Sequence, residues 1–159
     1  MKIRSSALGF TLMELILVVV LLSILSLFAA SRFMGSSSFS AYTLQERVIS
    51  VIRQVQVNRM QSNVASPDNN FRLQVSSSCV GSVAACELTG SAQDARSDVV
   101  IDKSAKFSVI SGAANTINFN LLGNPVSGAV NILIKDKHGR SRCQVEINSQ
   151  GYVSKGTCS

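Results

Sequence analysis

The chain has 159 residues, a formal charge of +6, four cysteines, one histidine and no tryptophan. That length holds one domain beside an anchor segment, and a single histidine with no cysteine pair at two-residue spacing excludes the common metal-site patterns. Lys2 and Arg4 lie in the first nine residues, which leaves +4 on the rest, weak evidence for a nucleic-acid or polyanion partner.

Nine residues, Lys2 and Arg4 among them, lie ahead of Phe10. Behind them the run Leu15 to Ala30 carries no charge, and the next one is Arg32. Residues 10–34 therefore predict one apolar helix, close to the ~20 residues that a bilayer span needs. Lys2 and Arg4 would hold the N-terminus on the cytoplasmic side. Glu14 is the odd residue, because a carboxylate carried to mid-bilayer costs roughly 2.5–3.5 kcal/mol. An ordinary secretory signal cut after Ala29-Ala30-Ser31 and a plain uncleaved anchor are the bland alternatives. Neither has a use for Glu14.

Gly35-Ser36-Ser37-Ser38 is a soft spot where a helix can bend. Residues 35–65 predict an amphipathic continuation, with Phe39, Tyr42, Val48, Ile49, Ile52 and Val55 on one face. Arg47, Arg53 and Arg59 are six residues apart and so point about 120° from one another. They make no stripe for a polyanion and are expected as solvated or subunit-facing charges. Continuous helices would form a stalk of roughly 80 Å. Ser66-Pro67-Asp68-Asn69-Asn70 stops the helix with turn residues.

Residues 66–159 read as short strands. Phe71–Val75, Lys106–Ile110, Thr116–Leu121, Val130–Ile134, Cys143–Ile147 and a short Tyr152-Val153 are separated by Gly-, Asn- and Pro-containing turns. The spacing predicts an antiparallel meander covered by the amphipathic helix. The expected class is α+β: a long N-terminal helix, half in lipid and half packed on a β-sheet head. Four cysteines allow three pairings. The sequence-local pairs Cys79–Cys86 and Cys143–Cys158 suit a meander best, and the second would pin a tail otherwise prone to fray.

No catalytic set is visible. His138 stands in a charged turn beside Asp136, Lys137 and Arg140, the setting of a solvated histidine. Asp94, Asp98 and Asp102 lack the alternation and glycine of a calcium loop. Neither an enzyme nor a cofactor is expected.

Gly9-Phe10-Thr11-Leu12-Met13-Glu14 ahead of such a helix resembles the type III signal of type IV pilins and secretion pseudopilins. The resemblance implies that residues 1–9 are a leader peptide, and that a prepilin peptidase cuts between Gly9 and Phe10 and methylates the new amino group of Phe10. Glu14 then matches the family's assembly glutamate, fifth from the new end. At the positions where such anchors carry a helix-breaking glycine and proline, this chain has Ser23 and Ser31. In the second half, Ile117-Asn118-Phe119, Gly123-Asn124-Pro125, Lys137-His138-Gly139 and Asn148 to Val153 are similar to the heads of GspH/FimT-type minor pilins. Tyr152 stands where those heads carry an arginine of the basic, DNA-associated tail. The C-terminal cysteine and Ser-rich head are more similar to minor pilins of mannose-sensitive haemagglutinin pili, of the MshC kind.

The resemblance implies a minor type IV pilin that primes, caps or decorates a pilus. Its partners would be the prepilin peptidase, other pilin subunits, the inner-membrane assembly platform and, before assembly, the lipid bilayer. Nucleic acid is not an expected partner: Arg140, Arg142 and Lys155 could cluster near the last cysteines, but three cations without aromatic residues give weak binding at most. The expected location is the bacterial inner membrane, single-pass with the head periplasmic, and then the pilus or pseudopilus. A type II secretion pseudopilin, a DNA-capturing FimT-like pilin and a generic anchored exported domain are the competing readings.

Overall fold

The structure is a computed structural model that describes residues 11–33, 40–112, 114–139 and 141–159, with the side chains of residues 27–33 and of Ser40 outside the description. The leader, the Gly9–Phe10 bond, Gly35–Ser38, Phe39 and any continuity between the two long helices lie outside the described residues. The chain divides into two compact units, Met1–Ser36 and Ser37–Ser159.

The first unit contains helix α1, Leu12–Phe33. Thr11 opens it: the Glu14 N–H donates to both the carbonyl and the hydroxyl of Thr11, which satisfies one of the orphan donors of the first turn. Leucines, valines and isoleucines then fill the helix without a Gly or Pro to break it.

The second unit is α+β. Helix α2, Ser40–Gln61, is followed by β1 (Arg72–Val75), β2 (Cys79–Ser82), α3 (Val83–Glu87), α4 (Ser91–Asp94), β3 (Val99–Ile101), β4 (Ala105–Ser111), β5 (Thr116–Asn118), β6 (Val130–Asp136), β7 (Arg142–Ile147) and β8 (Val153–Cys158). The strands form two four-stranded antiparallel sheets, β3-β2-β1-β5 and β4-β6-β7-β8, in place of the single meander predicted. Sequence-consecutive neighbours run through β1-β2-β3 in one sheet and β6-β7-β8 in the other, while β4 and β5 are exchanged between the sheets. The cause is the segment after β1. Cys79–Ser82 turns back on β1, and a close approach at Gly81, where an added Cβ would lie 2.6 Å from the Asp98 carbonyl, admits β3 alongside. Strand β2 lacks the alternation that reveals the others, because all four of its residues are buried, and β3 is only three residues long.

Helix α2 packs against both sheets. Ala41, Leu44, Val48, Ile52 and Val55 join Leu73, Val80 and Ile117 of one sheet and Ile132, Ile134 and Val145 of the other in one core. Tyr42 is half exposed and does not share that face. It lies about 100° from Ala41, which takes the inward position instead. The helix stops at Gln61, earlier than expected. Ser62 donates its backbone N–H and its hydroxyl to the Arg59 carbonyl, and the Arg59 guanidinium captures the next carbonyls, so the last turn closes on itself.

Arg59 overturns an expectation. It is 3% exposed, and its guanidinium donates to the Phe119, Val64 and Ala65 carbonyls and to the Ser62 hydroxyl. Polar side chains on the same helix do similar work. Gln45 donates to the Gln144 and Gly156 carbonyls, Arg53 to that of Val153, and Gln56 to those of Gly123 and Gly151. The last pair depends on Gly151, whose φ of +81° and whose 2.4 Å approach of a would-be Cβ to the Gly123 carbonyl admit only glycine. Side-chain donors thus hold the helix in register on backbone groups that would otherwise be buried unpaired.

Both expected disulfides are present. Cys79–Cys86 ties β2 to α3, and Cys143–Cys158 joins directly paired residues of β7 and β8. Strand β8 runs on to Cys158, well past the predicted Tyr152-Val153, because the bridge and the ladder reinforce each other.

Candidate functional site

The first site candidate is α1 itself. Every residue from Thr11 to Ser26 is exposed. Twelve large apolar side chains lie in that span, from Leu12, 76% exposed, to Leu25, 55% exposed. Apolar side chains circle the helix, so no orientation on a single flat protein face would cover them all. Moving them into an apolar surrounding is worth roughly 1.5–3 kcal/mol each, on the order of 20–30 kcal/mol together. Against this, the cost of one carboxylate is roughly 3 kcal/mol. Burial of α1 therefore wins by a wide margin with Glu14 included.

Within this span the polar groups are otherwise satisfied. The Ser23 hydroxyl donates to the Val20 carbonyl and the Ser26 hydroxyl to the Leu22 carbonyl, each at 2.7 Å. Glu14 is the one ionisable side chain between Thr11 and Ser26. It sits in the first turn, where the positive end of the helix dipole favours an anion. Gly9 and Phe10, the expected processing residues, lie outside the described residues. No helix among the described residues is long and apolar enough to cross a membrane.

The head offers no reaction centre on the residues weighed from sequence. His138 is exposed in the turn after β6. Asp94 ends α4, and Asp102 accepts from the Ser104 backbone and hydroxyl. Asp98 is buried and takes two hydrogen bonds from Arg96, at 2.8 and 2.7 Å. Burial alone would raise its pKa. Hydrogen bonds from Arg96 and Ser82 and the positive charge of Arg96 outweigh that effect and hold the carboxyl below its usual value. Among the described residues no three His, Cys, Asp or Glu side chains are placed to share a metal ion.

Of the three cations that could cluster by the C-terminal disulfide, two are described and have separate partners. Lys155 pairs with Glu46 of α2, Arg142 donates through Nε to the Ser159 hydroxyl at 2.8 Å, and Arg140 lies outside the described residues. Asp136, expected in a charged turn, is 3% exposed. Neither of its carboxylate oxygens has a hydrogen-bond partner among the described residues.

No protein-family model matches the sequence, and no curated protein matches it. Among solved structures, the chain is similar to the crystal structure of the type IV minor pilin FimU of Pseudomonas aeruginosa strain PAO1, at 10% identity and a TM-score of 0.47, over 73% of this chain and 92% of that one. The functional case is carried by this chain's own residues.

Proposed function

We propose that this chain is a minor type IV pilin, a non-catalytic subunit that primes, caps or decorates a pilus assembled from the inner membrane. The observation that carries the reading is Glu14, the lone ionisable side chain between Thr11 and Ser26, a stretch of α1 whose large apolar side chains are all exposed. An exposed apolar surface of this kind marks a segment that is covered by something else. Lipid covers it first, and neighbouring helices cover it in the filament. Cleavage after Gly9 would free the amino group of Phe10. That ammonium and the Glu14 carboxylate of a neighbouring subunit neutralise each other, so that neither enters the helix bundle as an isolated charge. The head, which has its own core and two disulfides, lies on the periplasmic side while the anchor stays in the bilayer.

Two measurements test this. Mass spectrometry of the mature chain should find an N-methylated Phe10 at its start, and a chain beginning at Arg32 would overturn the reading. Glu14→Ala should leave expression, membrane insertion and cleavage intact and lower the number of pili counted by electron microscopy. An unchanged count would remove the assembly role.

A further inference from the structure

The outer face of the β4-β6-β7-β8 sheet carries a feature that the proposed role of Glu14 and α1 does not call on. Lys106 of β4 stands directly opposite Lys135 of β6, and Lys135 stands directly opposite Arg142 of β7. All three are exposed on the same face. Adjacent strands are ~4.8 Å apart, so the three cations form a straight row about 10 Å long. Like charges directly opposite one another destabilise a sheet. Among the described residues none of the three is in an ion pair. Lysines often guard open sheet edges, but Lys135 and Arg142 lie on the two inner strands, where no edge needs guarding.

The row borders a shallow basin of about 330 Å³. Its floor is Ile110 and Leu133, and its rim carries Gln144, Thr157 and Ser159 beside Lys135 and Arg142. The Ser159 hydroxyl accepts from Arg142 Nε and so steadies the guanidinium. Glu146 is the acidic side chain further along β7, two residues beyond Gln144.

We propose that this face is a binding seat for an acidic polysaccharide. Each part of the surface matches one part of such a polymer. The cation row meets carboxylate or sulfate groups, and the strand spacing is comparable to that of successive sugar rings. The amide and hydroxyl rim meets sugar hydroxyls. The Ile110–Leu133 floor meets the apolar faces of the rings. The row and basin contain no aromatic side chain on which a base could stack, which disfavours single-stranded nucleic acid.

The test uses the full chain in nonionic detergent, with heparin, polygalacturonate, neutral dextran and a short duplex DNA as probes, at about 0.15 M salt. Heparin and polygalacturonate should bind, and dextran should not. The Lys106→Gln/Lys135→Gln double variant should weaken binding at least tenfold and lower the slope of log affinity against log salt by about one per cation removed. Arg47→Gln/Lys155→Gln removes the same charge elsewhere and should change affinity less than threefold. Absence of binding, tighter binding of the DNA than of both acidic glycans, or equal losses in the two double variants would each overturn the proposal.

Discussion

Replacing Arg59 should destabilise the head more than any other charge-removing substitution on α2. The side chain makes four hydrogen bonds, three of them to the backbone carbonyls of Phe119, Val64 and Ala65. Bonds to a charged donor contribute about 1.5–3 kcal/mol each, and a buried acceptor left without a partner costs about 1–3 kcal/mol. The sum is offset by relief of the guanidinium's own desolvation, since no carboxylate among the described residues pairs with it. Arg59→Ala should therefore cost roughly 2–4 kcal/mol. Arg59→Lys should cost less, about 1–2 kcal/mol, because an ammonium lacks the fork that spans Phe119 and Val64 together. With a urea slope of about 2 kcal/mol per molar, a 3 kcal/mol loss moves the unfolding midpoint by roughly 1.5 M. Circular dichroism of the detergent-solubilised chain in urea measures this. A change below about 0.5 kcal/mol is the signature of a solvated surface charge and would refute the staple.

Two further outcomes follow from the head. The Asp98 carboxyl is held below its usual pKa, so its stabilisation is complete above the unfolded value, about 3.9, and is lost as pH falls through the lower folded value. The urea midpoint should stay level above about pH 5 and drop below about pH 4, and Asp98→Asn should flatten that acid limb; an unchanged limb would remove the Arg96–Asp98 pair as its cause. The Cys143→Ser/Cys158→Ser variant opens a bridge of sequence separation 15 and should lose about 3 kcal/mol, with protease cuts appearing in β8; unaltered protease resistance would show that the β7–β8 ladder alone holds the tail.

Elements with a strong period were legible in the sequence, and elements made by tertiary contact were not. Helix α2 and strands β1, β4, β6 and β7 lie within a few residues of their predicted places, because one face of each meets the core and the other meets solvent. Strand β5 ends at Asn118, short of the predicted Leu121, since the Asn120 side chain accepts from the Leu122 and Asn124 N–H groups and turns the chain there. Strand β2 is buried on both faces and has no alternation to read. Arg59 and Gln56 look like solvent-facing residues from their chemistry alone. Their spacing from Ile52, four residues for Gln56 and seven for Arg59, places them on the buried side, which was the available clue. The row Lys106–Lys135–Arg142 has no sequence signature, because cross-strand register brings together residues far apart in the chain.

The proposed role of α1 separates holding from addressing. Apolar transfer is large, non-directional and indifferent to which neighbour covers the helix. It keeps α1 in any apolar surrounding, yet it cannot fix how far one helix slides along another, because one leucine or valine is much like the next. A single charge in an apolar seam does fix it. Sliding by one turn, about 5.4 Å, would part Glu14 from its counter-charge and leave both exposed to hydrocarbon. The uncompensated cost is then of the size of the carboxylate's own penalty, roughly 3 kcal/mol, or about a hundredfold in population. Polar residues placed singly in helical interfaces specify register in this way at some expense of stability. With Ser23 and Ser26 bonded to their own helix, Glu14 is the polar side chain between Thr11 and Ser26 left to carry that information.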